Sequence, residues 1–372
     1  MSKRRFVVKL GTSLLTSATD HLDLAVMADL VEQAAQLHRR DREIIIVSSG
    51  AVAAGRERMR GKRLLDVDGI PLKQVLASIG QSHLMSTYEM LFSQHDIIIA
   101  QALLTRDCLV NRAGYLNARN TLMALCDMGV VCIVNENDVV AVEELEDRQF
   151  GDNDNLSAMV ANLVDADLLI ILTDIAGLFT ADPRHNRDAQ LIRVVERIDE
   201  NIEALAGGTS GAQGIGGMAT KVQAARIATT SGIEVVVAAG REKDVHPRID
   251  RGEEIDTRSV THMSRLESRK RWLLSGLNVA GELIIDEGAV RALKRGAGSL
   301  LPAGVKDVHG SFVRGDTVEI RSEGGRRVAS GIVNYDADDV RTVMGHRSHE
   351  MAELLPHVYG DEIVHRNNMV VF

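Results

Sequence analysis

Residues 150–174 read FGDNDNLSAMVANLVDADLLIILTD, a helical pattern that runs into a strand. Leu156, Met159, Val160, Leu163 and Val164 recur at helical spacing, whereas 168–172 are continuously apolar, as in a strand buried on both faces. Asp152, Asn153, Asp154 and Asn155 crowd the start of the helix behind Gly151. Asp and Asn accept hydrogen bonds from the free N–H groups of a first turn, but one residue suffices as a cap. Capping is the bland reading, and the rest of the chain has to decide whether the surplus is chemistry.

The same alternation extends in both directions. Strand-like runs are RFVVKLG (5–11), EIIIVSSG (43–50), DIIIAQALL (96–104), VVCIVNEN (130–137), DLLIILTD (167–174) and IEVVVAAG (233–240). Helical patterns fill 24–38, 71–93, 113–128, 153–164 and 218–230. Strand–helix–strand alternation predicts an α/β fold with a mostly parallel sheet sandwiched by helices. In such sheets ligands bind beyond the carboxyl ends of the strands. Near 262 the pattern changes. SRLESRKRWLLSGL (264–277) is a basic connector, and the chain beyond it is Gly-rich, with FVRGDTVEI (312–320) and RRVASGIVNY (326–335) reading as strands joined by turns. The expected organisation is a first domain over 1–262, a linker over 263–278 and a small β-rich barrel over 279–372.

Composition sets the remaining bounds. A chain of 372 residues exceeds what one core usually organises, so two domains are expected. With aromatics at 3%, the core has to be aliphatic. A net charge of −9 argues against a general electrostatic grip on nucleic acid or anionic membrane. Cys108, Cys126 and Cys132 form no CxxC pair and read as reduced thiols of a cytoplasmic protein. Lys9 interrupts the apolar run after SKRR within three residues, so no signal peptide is expected, and no run is long enough to span a membrane. His346 and His349 lack further ligands at a clear spacing and read as surface residues, so no protein-held metal is expected.

The strand ends carry the chemistry. Lys9 in VVKLG is either an edge-strand lysine reaching for water or a cation projecting into a site, beside Gly11. Ser49-Gly50 opens a helix and is either a common turn or an anion-binding start. Asn135-Glu136-Asn137-Asp138 is either a polar loop or a reader of a small polar substrate. Thr173-Asp174 closes another strand, and GIGGMATK (214–221) leads into a helix with Lys221 in its first turn. The GxxxxGK[ST] spacing is absent, and no GxGxxG follows the first strand, which disfavours a Walker loop and a dinucleotide fold. Phosphoryl transfer asks mainly for positioning and positive charge. Two lysines with a carboxylate between them would supply that charge preorganised, giving the surplus in GDNDN a use.

In order, VVKLGTSLL, IVSSGAVAAG, LNARNTL, VNENDVVA, FGDNDNLSA, LTDIAGLFTADPR, GIGGMATK and SRKRW closely resemble the glutamate 5-kinases of the amino acid kinase family, essentially end to end. The C-terminal pattern AGELIIDEGA, GSLLPAGV, GSFVRGD is similar to a PUA domain. The resemblance implies an amino acid kinase fold and transfer from ATP to the side-chain carboxylate of L-glutamate, the first step of proline synthesis. Carried over by position, Lys9 and Lys221 are the transition-state lysines and Asp154 orients them. Ser49, Asn135, Asp138 and Asn153 bind glutamate. Thr173 and Asp174 form a nucleotide-binding pair, and Ile215, Gly216, Gly217, Met218, Ala219, Thr220 and Lys221 form the ATP phosphate loop. Ile215 is a departure, since family members usually carry Thr there. The resemblance further implies Mg²⁺ with ATP, proline as inhibitor, a dimer or tetramer, and hand-over to glutamyl phosphate reductase. Another kinase of the fold would lack the NEND and GDNDN pair. RNA binding is the competing reading for the PUA module, but 279–372 holds 11 Lys+Arg against 14 Asp+Glu, the wrong balance for it.

Overall fold

The site-bearing sheet is a computed structural model's central layer; the structure describes residues 3–62, 70–141, 153–183, 185–207, 217–261, 279–295 and 298–372. These fall into two compact units, Met1–Val110 with Ala118–Arg265, and Asn111–Asn117 with Leu266–Phe372.

In the first unit, β1 (Arg5–Leu10), β2 (Glu43–Ser48), β3 (Ile99–Leu104), β4 (Val131–Glu136), β5 (Leu168–Thr173), β6 (Val194–Val195), β7 (Glu234–Ala239) and β8 (Thr257–Ser259) lie in the order β3-β4-β2-β1-β5-β7-β8-β6. All pairings are parallel except β7 with β8. The chain steps from β1 to β2 on one side and later sets β5 on the other, so strand order reverses at β1. A crevice for ligands opens at the carboxyl ends around such a point. β3 starts three residues later than the strand expected from 96, where Asp96 turns the chain with a left-handed φ of 57°.

Among the described residues up to 261, the helices are α1 (Thr12–Leu15), α2 (Leu24–Arg39), α3 (Ala51–Arg58), α4 (Ile70–Ser93), α5 (Arg106–Val110), α6 (Arg112–Asp127), α7 (Asn153–Leu163), α8 (Glu200–Gly207), α9 (Met218–Thr230) and α10 (Val245–Asp250). Side chains alternate across the sheet. Phe6, Val8, Leu10, Ile44, Ile46, Leu168 and Ile170 join one core with Leu30 and Val31 of α2, Ala54 of α3, and Leu84, Tyr88 and Phe92 of α4. Val7 and Lys9 therefore face the other side, where α7 packs over β1, β2, β4 and β5 and α9 packs on α7 and β7. α3 and α4 cross at glycines. A Cβ at Gly55 would meet the Leu76 carbonyl oxygen at 1.9 Å, and one at Gly80 the Ala51 carbonyl oxygen at 1.8 Å. Only glycine permits so close an approach.

Cys126 and Cys132 are buried, and burial pushes their thiols up to about 11 and about 12; Cys108 is exposed. Among the described residues no helix is long and apolar enough to cross a membrane.

In the second unit, β9 (Val279–Ile285), β10 (Val305–Gly310), β11 (Thr317–Ser322), β12 (Arg327–Ile332) and β13 (Met369–Val371) form a sheet in the order β10-β9-β11-β12-β13. Only β9 with β11 is parallel. The strand expected over 312–320 begins at Thr317, because Gly315 takes φ +95° and Asp316 Oδ2 accepts from Val313 N–H to close a turn. Helix Glu287–Lys294 was not legible in the Gly-rich pattern; Asp286 caps it through Ala289 N–H, and Val290 and Leu293 anchor it in the core.

Candidate active site

α7 is buried almost all round, and its first turn carries the site's central carboxylate. Asp154 has no exposed surface. Lys9 Nζ stands 2.7 Å from its Oδ1 and Lys221 Nζ 3.0 Å from its Oδ2. Thr220 Oγ1 donates to the same Oδ2 at 2.8 Å and is 2.9 Å from the Gly217 carbonyl. Burial alone would raise the Asp154 pKa, but the Lys9 and then the Lys221 ammonium outweigh it and lower it to about 2. Both lysines are buried, at 3% and 6% exposure, which excludes an edge lysine reaching for water. β1 alternation aims Lys9 at α7, and α9 brings Lys221 from the other side. Buried charges so close must be paired, because an isolated ammonium there carries a desolvation penalty of several kcal/mol.

A second group gathers at the ends of β2 and β4. Asn153 Nδ2 lies 2.9 Å from the Ser48 carbonyl, 2.9 Å from Ser49 Oγ and 3.0 Å from Asn135 Oδ1. Asn135 Nδ2 donates to Gln81 Oε1 of α4 at 2.8 Å, and Ser48 Oγ meets Tyr88 Oη at 2.8 Å. Gly50 takes φ +99° so that the chain turns from Ser49 into α3. Asp138 sits half-buried in the turn after β4.

On the other flank, Gly217 opens α9 with no side-chain cap, leaving first-turn N–H groups for an anion beside Met218, Ala219, Thr220 and Lys221. Ile215 and Gly216 lie outside the described residues, as do Gly151 and Asp152. A Cβ at Gly11 would stand 3.5 Å from Lys9 Nζ, so Gly11 lies directly beside that ammonium. Thr173 Oγ1 donates to Asp174 Oδ1 at 3.0 Å at the end of β5, with Asp174 exposed. Among the described residues no group of three His, Cys, Asp or Glu side chains could hold a metal ion.

Lys9, Asp154 and Lys221 thus form one cluster, and Ser49, Asn135 and Asn153 a second, joined through the adjacent residues 153 and 154. Sequence reading passed over Gln81, Tyr88 and the Thr220 hydroxyl's bond to Asp154. Gln81 carries no motif; its only local sign is Gly80 beside it.

The profile of the Amino acid kinase family matches residues 4–239, and that of the PUA domain matches 281–355. A glutamate 5-kinase of Dehalococcoides mccartyi is 52% identical over 99% of this chain and 98% of its own length. Those of Herpetosiphon aurantiacus and Deinococcus radiodurans are 48% and 47% identical, each over 99% of this chain and over 98% and 99% of their own lengths. Two buried ammoniums on one carboxylate at a strand-order reversal, and full-length similarity of this degree, agree: the chain belongs to the amino acid kinase family, among the glutamate 5-kinases, with a C-terminal PUA domain.

Proposed function

We propose that this chain transfers the γ-phosphoryl group of ATP to the side-chain carboxylate of L-glutamate, giving ADP and L-glutamyl 5-phosphate, the first step of proline biosynthesis. The observation that carries this reading is the convergence of Lys9 and Lys221 on the two oxygens of Asp154. A carboxylate oxygen of glutamate attacks the γ-phosphorus, the bond to the β–γ bridging oxygen breaks, and ADP leaves with the electron pair. No proton moves, so the site needs no general base. It needs positive charge around the transferring group, fixed before reaction. Asp154 holds both ammoniums in place. Ser49, Asn135, Asp138 and Asn153 bind glutamate, while Thr173, Asp174 and the segment 215–221 hold the nucleotide.

Magnesium accompanies ATP in this reading and neutralises charge on the phosphates when bound. The donor set fits a cation carried by the nucleotide, since Asp154 is committed to two lysines. We take 1–262 as the kinase domain, 263–278 as linker and 279–372 as the PUA domain, bounds that contain both profile matches. We also propose a cytoplasmic homo-oligomer, dimer or tetramer, which sedimentation would reveal as a single heavier species. Proline inhibits at the glutamate pocket; Asp138→Ala binding glutamate weakly but proline normally would refute a shared pocket. The acyl phosphate and amine on one product molecule favour cyclisation, so direct hand-over to a reductase is proposed, and cyclisation losses unchanged by that reductase would refute it.

The test of function traps the acyl phosphate. Protein, MgATP and L-glutamate in hydroxylamine should yield γ-glutamyl hydroxamate, and neither aspartate nor omission of glutamate should. Folded, ATP-binding protein that makes none would overturn the assignment.

A further inference from the structure

We infer that Gln81 of α4 reads the α-carboxylate of the amino-acid substrate and so sets specificity at the end of glutamate remote from the reaction. The inference rests on glutamate being the acceptor. Three amides form a chain, Asn153 to Asn135 to Gln81, with hydrogen bonds of 3.0 and 2.8 Å. The chain is saturated inside and open at both ends. Asn153 Nδ2 is committed to Ser48, Ser49 and Asn135, and Asn135 Oδ1 also accepts from Glu136 N–H at 2.9 Å. Gln81 Oε1 is taken by Asn135, whereas Gln81 Nε2 and Asn153 Oδ1 are both buried without a hydrogen-bond partner. Buried polar atoms are almost always satisfied, so two open ones in a single network call for a ligand.

Their chemistry names it. Gln81 Nε2 is a donor and Asn153 Oδ1 an acceptor, complementary to a carboxylate and an ammonium respectively. Asn153 adjoins Asp154, where Lys9 and Lys221 mark the phosphoryl group. Gln81 lies at the far end of the amide chain. A substrate with its reacting carboxylate near the lysines therefore presents its α-ammonium to Asn153 and its α-carboxylate to Gln81. The fold holds Gln81 there by the glycine crossing of α3 and α4, since Gly80 rests on the Ala51 carbonyl, and by the Tyr88–Ser48 bond one heptad along the helix.

The experiment uses the full chain and two analogues: 4-aminobutyrate, which is glutamate without the α-carboxylate, and glutarate, which lacks the amine. Gln81→Glu keeps an oxygen for Asn135 Nδ2 but replaces the donor by a negative charge. It should raise KM for glutamate, and KM or Ki for glutarate, by about 30-fold or more, as expected when a bond to a charged group is replaced by repulsion. The same constant for 4-aminobutyrate should change by less than about threefold, with kcat and KM for ATP unchanged. Gln81→Met, which removes donor and acceptor together, should also discriminate by analogue; a fold defect would instead weaken all three alike. Equal losses on glutamate and 4-aminobutyrate in both variants would overturn the role of Gln81 while leaving the kinase reading intact. Wild-type protein that makes no hydroxamate from glutamate would overturn both.

Discussion

Lys9 and Lys221 each bind a different oxygen of the same carboxylate, at 2.7 Å and 3.0 Å, although one comes from the first strand and the other from a helix more than 200 residues later. A single buried anion thus positions two buried cations. Two roles follow, electrostatic in catalysis and compensating in the fold, and they separate on mutation.

Lys9→Met and Lys221→Met should each lower kcat by about 10² or more while shifting KM for ATP only slightly, because the charge matters most in the transition state. Asp154→Asn should abolish activity and also destabilise the chain by about 3–5 kcal/mol, since it leaves two ammoniums buried without a counter-charge. The double variant Lys9→Met with Asp154→Asn should be more stable than Asp154→Asn alone, a coupling that denaturant melts would measure. Additive losses would contradict the shared-anion arrangement.

Asp154 titrates at about 2 in the fold, against an ordinary 3.8. With the folded value depressed, the unfolded chain binds the proton more readily, so the stabilisation is present above about pH 4 and is lost as pH falls through 2. The acid limb of the activity profile above pH 4 should therefore be unaffected by Asp154. An apparent pKa of 5 to 6 that vanished in Asp154→Asn, judged on ATP binding, would contradict this assignment.

The glycine crossing of α3 and α4 predicts a sharp contrast. Gly80→Ala places a methyl 1.8 Å from the Ala51 carbonyl oxygen and 2.3 Å from Gly55 N, both backbone atoms that cannot swing away. It should cost about 3 kcal/mol or more and displace Gln81 and Tyr88 with the helix. Gly207→Ala, at the end of α8 with nothing within 4 Å of the new Cβ, should instead be neutral or stabilise by up to about 1 kcal/mol. Urea midpoints of the two variants would decide, and comparable stabilities would refute the close crossing.

Much of this arrangement was legible in the chain. Continuous apolar runs at 44–47 and 168–172 marked parallel strands, and the alternation inside RFVVKLG set Lys9 opposite Phe6, Val8 and Leu10. The run from Asp152 to Asn155 announced itself as more than a cap needs, and the family resemblance picked Asp154 out of it. Gln81 did not, because its role depends on which helix crosses α3, and helix crossings are set by tertiary packing rather than by spacing along the sequence. Tyr88 hid for the same reason: an aromatic at helical spacing reads as core, and its hydroxyl contact with Ser48 is visible only once β2 and α4 are side by side. In the second unit, Asp286 with Val290 and Leu293 was too short a periodic signal to stand out against neighbouring glycines.

His246 gives the last prediction. It lies on α10 at 1% exposure, its backbone N–H donates to Gln33 Oε1 of α2 at 3.1 Å, and neither ring nitrogen has a hydrogen-bond partner. Burial lowers its pKa from 6.5 to about 4. Between those values the unfolded chain binds a proton at this residue and the folded chain does not. Its contribution is therefore intact above pH 6.5 and is lost progressively as pH falls through 4, by about 3 kcal/mol in total. Replacing the ring removes both the titration and the unpaired polar atoms. His246→Leu should thus match or exceed wild-type stability at pH 5, and the difference between their unfolding free energies should shift steadily in the variant's favour from pH 6.5 to 4.5. Parallel curves across that window would show that His246 is not the neutral, buried group that its surroundings demand.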